Sequence, residues 1–192
     1  MKTDIILAGV GGQGILSIAA SLGAAALNEN YYLKQAETHG MSQRGGAVVS
    51  HLRIADHPIY SDLIPTGSAD LILSVEPMEA LRYLPYLSPE GSLVTNTAEF
   101  KNIPNYPELN KTFEELAHKI SIIRIDADQM ARDKGNPKAS NMVMLGAASP
   151  FIAIHDDIII KGIETIFREK GEKIVNQNVE AFKAGRAFAL QK

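Results

Sequence analysis

The sequence predicts a three-layer α/β/α fold of the Rossmann-like type, with a mostly parallel sheet and a helical C-terminal third. Three observations support this. A short apolar run at residues 5–8 ends in glycines, as a buried parallel strand does. Similar runs then alternate with helical patterns up to residue 125. Beyond that point only helical periodicity remains.

The elements of the first half follow from the spacing of apolar residues. Residues 5–8 predict a strand, 14–27 an Ala- and Leu-rich helix, and 31–36 a second strand. Residues 47–54 alternate like a strand with one face buried. Residues 71–75 predict a buried strand. Pro77 suits the first turn of a helix over 78–87.

The second half is predicted in the same way. A turn at 89–91 precedes a strand at 92–95, and a proline-rich loop at 102–107 precedes a helix at 112–119. Residues 121–125 form the last predicted strand. The helix at 140–149 is apolar almost all round, so residues 142–154 are expected in the core or, alternatively, against a partner. One-sided patterns predict helices near 159–167 and 175–182.

Composition limits the possible functions. A length of 192 residues fits one domain over 1–192. A net charge of −3 without Lys/Arg blocks gives no reason to expect nucleic acid or a membrane as partner. The absence of cysteine excludes disulfides and any Cys-ligated cluster or zinc on this chain. No signal peptide and no apolar run of about 20 residues is found, so a cytoplasmic location is expected.

The first glycine-rich loop is a candidate phosphate site. Gly9, Gly11 and Gly14 satisfy Gly-x-Gly-x-x-Gly at a strand-to-helix junction, where backbone N–H groups and the helix N-terminus favour an anion. Gly12 adds backbone freedom and Gln13 a side-chain donor. The alternative is that these glycines only allow the first helix to pack closely on the sheet.

Polar residues follow the predicted parallel strands, where ligands bind in open α/β sheets. Glu37 has the offset of a ribose-binding acid, and Asn96 ends a later strand. Glu76 and Asp126 end two others. Asp126 and the acidic pair after His155 are more typical of helix N-caps than of a cation site, and the sequence predicts no metal site.

A second glycine-rich loop covers residues 40–46. Its candidate binding residues are Ser42, Gln43, Arg44, Gly45 and Gly46. Arg44 could clamp a phosphate or carboxylate with paired hydrogen bonds. Alternatively, Arg44 is solvated or pairs with Glu37. The neighbouring His39 could act as an acid or base, but no matching nucleophile is recognisable, and the catalytic residues stay unassigned.

Together the two loops resemble those of a known family. The first reads GVGGQGI from residue 9 and the second ETHGMSQRGG from residue 37. Both are similar to the gamma subunit or domain of pyruvate and other 2-oxoacid:ferredoxin oxidoreductases. Within that family the second loop is most similar to the small (beta) subunits of indolepyruvate:ferredoxin oxidoreductases. The similarity extends over essentially the whole chain.

The resemblance implies an activity and its partners. Such enzymes decarboxylate a 2-oxoacid oxidatively, form acyl-coenzyme A and reduce ferredoxin; here the substrate is expected to be indolepyruvate or another arylpyruvate. Thiamine diphosphate and iron–sulfur clusters are expected on a large partner subunit, through which ferredoxin is reached. Coenzyme A is a possible ligand of this chain, which is expected to be inactive alone. The alternative is a free-standing NAD(P)- or coenzyme A-binding Rossmann-type protein.

Overall fold

The computed structural model describes residues 1–39, 45–101 and 103–192, without the side chain of His39. The strands are β1 (Lys2–Val10), β2 (Tyr32–His39), β3 (Ala47–Ala55), β4 (Ala69–Ser74), β5 (Leu87–Asn96) and β6 (Ser121–Ile125). The helices are α1 (Leu16–Asn28), α2 (Pro77–Arg82), α3 (Asn110–Ala117), α4 (Ala127–Asp133), α5 (Ser140–Ala148), α6 (Asp156–Phe167) and α7 (Glu172–Ala189).

The strands form one mixed sheet in the order β2-β3-β1-β4-β5-β6. Strands β1, β4, β5 and β6 are parallel, whereas β3 pairs antiparallel with both β1 and β2. Strand β2 therefore runs parallel to β1 with β3 between them. The parallel strands all end at one edge of the sheet, which also receives the connection from β2 to β3. We call this edge the carboxyl edge.

Helices cover both faces of the sheet. One face packs Leu7, Leu52 and Leu73 against apolar residues of α1, α5, α6 and α7. The other face packs Ile6, Ile72 and Leu93 beneath α2 and α3. This arrangement confirms the predicted three-layer fold and the helical C-terminal third. No helix in the described ranges combines the length and apolarity that a bilayer crossing requires.

Helix α5 belongs to the core, as its composition indicates. Its residues 142–148 are all buried within the chain. Gly146 and Gly185 allow the backbones of α5 and α7 to touch, because a Cβ at either position would lie 1.9 Å from a carbonyl oxygen of the other helix. The side chains of residues 142–148 are therefore covered by this chain itself and are not available to a partner.

Two predicted boundaries are wrong for identifiable reasons. The turn expected at 89–91 lies inside β5, where a Cβ at Gly91 would come within 2.8 Å of the Ala69 oxygen; this glycine allows a close strand approach. Helix α2 ends at Arg82, not at residue 87. Pro85 cannot continue an α-helical hydrogen-bond ladder, and a short 3₁₀ turn takes its place.

Candidate functional site

The first glycine-rich loop joins β1 to α1 at the carboxyl edge. At Gly9 a Cβ would lie 2.5 Å from Cγ2 of Val75, so this glycine is needed for packing. Gly12 and Gly14 have φ values of +100° and +73°, which strongly favour glycine. Gly9 is therefore required for close packing, as the alternative to a phosphate site supposes. Gly12 and Gly14 instead allow the backbone conformation of the loop.

Gln13 closes the loop upon itself. Its Oε1 accepts the Val10 N–H at 2.7 Å, and its own N–H donates to the Val10 oxygen at 3.0 Å. These bonds fix the side-chain amide. The Nε2 group makes no hydrogen bond to any other described residue, so Gln13 retains donors, as the sequence predicts.

Asn141, in the first turn of α5, is a residue that the sequence does not single out. Its Nδ2 donates to the carbonyl oxygens of Gln13 and Gly14 at 2.9 and 2.8 Å, and lies 3.3 Å from Oγ of Ser17. Asn141 thereby orients the carbonyl groups of the loop. Its one local signal was its polarity in a helix that is otherwise apolar almost all round.

The start of α1 is rich in available donors. Its N-terminus has no side-chain cap. Among the described residues, no hydrogen-bond acceptor meets the N–H groups of Gly12, Gly14, Ile15 and Leu16. Because such groups and the helix dipole attract negative charge, this loop is chemically suited to an anion.

The two glycine-rich loops are joined by backbone hydrogen bonds. The Gly11 N–H donates to the Gly46 oxygen at 2.8 Å, and the Gly45 N–H donates to the Gly11 oxygen at 3.3 Å. This pair continues the β1–β3 ladder beyond Val10 and Ala47. Gly45 has a φ of +82°, a conformation that favours glycine.

Some predicted site residues lie outside the described part of the chain. These are Ser42, Gln43 and Arg44, together with the side chain of His39. Their predicted roles stay predictions. The structure does show that Gly45 and Gly46, which follow these residues, are hydrogen-bonded to Gly11 of the first loop.

Glu37 lies inside β2 rather than at its end, because β2 extends to His39. It pairs with Ser50 of β3, which in turn pairs with Leu7 of β1. Strand β3 therefore separates Glu37 from β1 by two strand spacings, or about 10 Å. A ribose held in the usual way, beside the strand next to β1, would not meet Glu37.

Asn96 is used to cap α4. Its Oδ1 accepts the Ala127 N–H at 3.2 Å and its Nδ2 donates to Asp128 at 3.1 Å. Asp126 is the N-cap, accepting the Gln129 N–H at 2.8 Å, which confirms that expectation. The hydrogen-bonding groups of the Asn96 side chain thus serve the protein, although the residue still borders the cleft described next.

A polar cleft of about 120 Å³ opens beside the first loop. It lies at the carboxyl ends of the neighbouring strands β1 and β4, whose following helices α1 and α2 pack on opposite faces of the sheet. Such a position is the switch point where α/β sheets bind ligands. The cleft is lined by Gln13, Val75, Asn96, Asp128, Ser140, Asn141 and Met144.

Glu76 organises the other side of the switch point. Its fully buried carboxylate accepts the Glu79 N–H at 2.8 Å, the Phe100 N–H at 3.2 Å and the Tyr106 hydroxyl at 2.5 Å. Burial, together with the hydrogen bond to Glu76, raises the pKa of Tyr106 far above its usual value. The sequence placed Glu76 at a strand end but gave no sign of these distant partners.

Known proteins are similar in sequence to this chain along nearly its whole length. Residues 4–188 match the family model described as pyruvate ferredoxin/flavodoxin oxidoreductase. The indolepyruvate oxidoreductase subunit IorB of Pyrococcus horikoshii is 37% identical over 95% of this chain and 93% of its own. The IorB subunit of Methanothermobacter thermautotrophicus is 33% identical, with both chains covered completely.

Solved structures share the fold at lower identity. The gamma subunit of a keto/oxoacid ferredoxin oxidoreductase from Geobacter sulfurreducens superimposes with a TM-score of 0.73 at 22% identity, covering 99% of each chain. A 2-oxoglutarate:ferredoxin oxidoreductase from Magnetococcus marinus gives 0.80 at 22% identity, and this chain spans 31% of that longer polypeptide. With the match to the family model and the full-length relatives, these findings confirm the resemblance of the two loops: the chain belongs to the pyruvate ferredoxin/flavodoxin oxidoreductase family.

Proposed function

We propose that this chain is the subunit without iron–sulfur clusters of a 2-oxoacid:ferredoxin oxidoreductase, with indolepyruvate or another arylpyruvate as substrate. In that reaction the oxoacid loses CO₂, its carbonyl carbon is oxidised and becomes bonded to the sulfur of coenzyme A, and the released electron pair passes to ferredoxin. Relatives that cover 95% and 100% of the chain and are named indolepyruvate oxidoreductase subunits support this assignment.

The chemistry is divided between subunits in this proposal. The chain has no cysteine, so it cannot supply thiolate ligands to a cluster. The iron–sulfur clusters are therefore assigned to a larger partner, which also passes electrons to ferredoxin. Thiamine diphosphate is assigned to the same partner because the family resemblance implies it there. In the Magnetococcus marinus enzyme a region with this fold is part of a much longer polypeptide, which is consistent with an assembly in which the smaller chain completes the larger one.

The observation that carries the role of this chain is the donor-rich start of α1, held beside the second loop. The N–H groups of Gly12, Gly14, Ile15 and Leu16 have no partner among the described residues, and the position of a Cβ at Gly12 has open space around it. These features fit a phosphate or pyrophosphate group of coenzyme A. We assign the adjoining predicted residues Ser42–Gly46 to the same ligand.

Coenzyme A, when bound, supplies the thiol that accepts the acyl group. The chain's own residues bind and orient it. Asn141 holds the loop carbonyls away from the anion through its bonds to Gln13 and Gly14. The Nε2 of Gln13 offers a further donor at the edge of the polar cleft. The subunit therefore contributes orientation to the acyl transfer.

Calorimetric titration of coenzyme A into the complex of this chain and its large subunit tests the assignment. Leu16 is 48% exposed at the start of α1, and Leu27 is 65% exposed at its end. Leu16→Asp places a carboxylate among the proposed anion donors and should weaken coenzyme A binding by about 10-fold or more. Leu27→Asp, the same change at the far end of the same helix, should leave the affinity unchanged. Unaltered binding by Leu16→Asp would contradict the proposed site.

The subunit assignment has a separate test. Affinity purification of the tagged chain from its own cells should recover a much larger chain, and the complex should be brown from its clusters. A colourless chain that binds NAD without a partner would instead establish the free-standing alternative. The separation of Glu37 from β1 by β3 is the structural observation that disfavours NAD binding in the usual manner.

A further inference from the structure

The polar cleft beside the first glycine-rich loop has unlike chemistry at its two ends. Gln13 and Asn141 line it where it meets the loop, whose available N–H donors begin at Gly12. Asp128 contributes a carboxylate, and the other described residues that line the cleft are uncharged. Because like charges repel and opposite charges attract, a ligand that occupies both ends should carry an anion at the loop and no negative charge beside Asp128.

Asn96 holds the carboxylate of Asp128 in place. Its Nδ2 donates to Oδ2 of Asp128 at 3.1 Å, and its Oδ1 accepts the Ala127 N–H at 3.2 Å. Asn96 is buried, whereas Asp128 is half-buried. The second carboxylate oxygen of Asp128, Oδ1, accepts no hydrogen bond from any described residue. One oxygen of Asp128 is therefore fixed by the protein, and the other can accept a hydrogen bond from a ligand.

The size and lining of the cleft limit what it can hold. Its volume of about 120 Å³ is well below the roughly 300–1,000 Å³ of pockets that enclose a whole drug-sized ligand, so it admits one segment of a larger ligand. Val75 and Met144 give part of the lining an apolar surface. The segment that fits best therefore carries hydrogen-bond donors for Asp128, apolar carbon for Val75 and Met144, and no anion.

We propose that Asp128 is a specificity-determining residue that selects the pantoyl segment of coenzyme A and excludes a second phosphate from the cleft. The pantoyl segment is attached directly to the pyrophosphate, and it has a hydroxyl group, an amide N–H, two methyl groups and no charge. On the other side of the pyrophosphate, the ribose carries a phosphate next to its free hydroxyl, and this phosphate would face the carboxylate of Asp128. The inference rests on the proposed function, because it presupposes that the first loop binds the pyrophosphate.

Two phosphate monoesters test this selectivity by calorimetric competition against coenzyme A, on the complex with the large subunit. The first, 4′-phosphopantetheine, carries the pantoyl donors, and the second, propyl phosphate, carries the same anion without them. In Asp128→Asn the new side-chain oxygen can still accept from Asn96, but an amide donor replaces the free carboxylate oxygen. The preference for 4′-phosphopantetheine over propyl phosphate should fall by about 10-fold, because a hydrogen bond to a charged group is lost. Loss of the nearby negative charge affects both phosphates alike and cancels in this ratio.

Asp126→Asn is the matched control. It removes the same charge two residues earlier, from a side chain that does not line the cleft. Asp126 accepts the Gln129 N–H at 2.8 Å as the N-cap of α4, a role that asparagine fills equally well. The preference for 4′-phosphopantetheine should therefore stay at the wild-type value. An unchanged preference in Asp128→Asn would overturn the proposal, as would an equal fall in Asp126→Asn.

A probe with two anions tests the exclusion separately. Propyl phosphate with a carboxylate at its far end should bind the wild-type complex more weakly than propyl phosphate itself, and Asp128→Asn should remove this difference. Equal binding of the two probes by the wild type would refute the exclusion. If coenzyme A does not bind the wild-type complex at all, the proposed coenzyme A site fails and this inference fails with it. If coenzyme A binds but Asp128→Asn leaves both comparisons unchanged, the role of Asp128 alone is refuted.

Discussion

The contact between α5 and α7 gives a sharp prediction about stability. A Cβ at Gly185 would lie 1.9 Å from the Val143 oxygen and 3.0 Å from the Ala147 nitrogen. Both atoms belong to the α5 backbone, so no rotamer change relieves the overlap. To reach an ordinary contact of 3.4 Å, α7 must move away from α5. That movement opens the packing around side chains that are almost completely buried, among them Val143 and Phe182.

The expected cost of Gly185→Ala combines two opposing effects. Overpacking of this kind costs about 3 kcal/mol, at the upper end of the usual range because backbone atoms are struck. Alanine regains about 1 kcal/mol through its higher helix propensity. The free energy of unfolding should therefore fall by about 2 kcal/mol, and Tm by about 4–8 °C for a domain of this size.

Urea denaturation followed by circular dichroism at 222 nm measures this loss, with Gly23→Ala as the control. A Cβ at Gly23 would meet only the flexible tip of Leu33, at 3.3 Å, so that variant should be as stable as the wild type or more so. If Gly185→Ala has wild-type stability, or if Gly23→Ala is equally destabilised, the close approach of the two helix backbones does not limit stability.

Three further predictions concern buried polar groups on the opposite face of the sheet. Burial lowers the pKa of His51, whose Nδ1 accepts the Ile64 N–H at 3.1 Å. The unfolded chain therefore binds a proton more readily than the folded protein, so stability should decline as pH falls below about 6.5, and urea midpoints for His51→Phe should lack this slope. Burial would raise the pKa of Asp4, but hydrogen bonds from Arg53 and Lys2 outweigh it and lower that pKa, so the stabilisation from this carboxylate should disappear only as pH falls below 3.8. Arg53→Met removes the guanidinium group that donates two hydrogen bonds to Asp4, which is 1% exposed. The free energy of unfolding at pH 7 should fall by about 3 kcal/mol. The double variant with Asp4→Asn should recover much of this loss, because no buried charge is then left without its partner.

Local patterns predicted the layers of the fold but not the order of its strands. Periodicity identified the strand at 47–54, yet nothing in its alternation indicates that it inserts antiparallel between β1 and β2. The second loop connects β2 to β3, two consecutive strands that pair antiparallel, and the alternation does not indicate this hairpin. The ribose role of Glu37 depended on β2 lying beside β1, and the insertion of β3 removes that basis.

In the candidate site, too, local features could be predicted from the sequence and long-range ones could not. The donors at the start of α1 follow from a motif confined to a few consecutive residues, so the sequence could predict them. The side chains that bond to groups at the carboxyl edge come from far along the chain: Asn141 lies 128 residues beyond Gln13, and Tyr106 lies 30 beyond Glu76. A motif does not specify such distant partners, because they depend on which helix the fold brings to the carboxyl edge.

The middle glycine of the first motif explains why the two loops act together. In a simple dinucleotide-binding loop the second glycine lets the backbone approach the pyrophosphate. Here both the N–H and the carbonyl of Gly11 are bonded to the second loop, at Gly46 and Gly45. Donors for an anion must then come from the residues that follow, beginning at Gly12. The middle glycine of the motif thus joins the two loops, and the residues after it keep N–H donors without a partner among the described residues. The joining is possible because β3 pairs with β1.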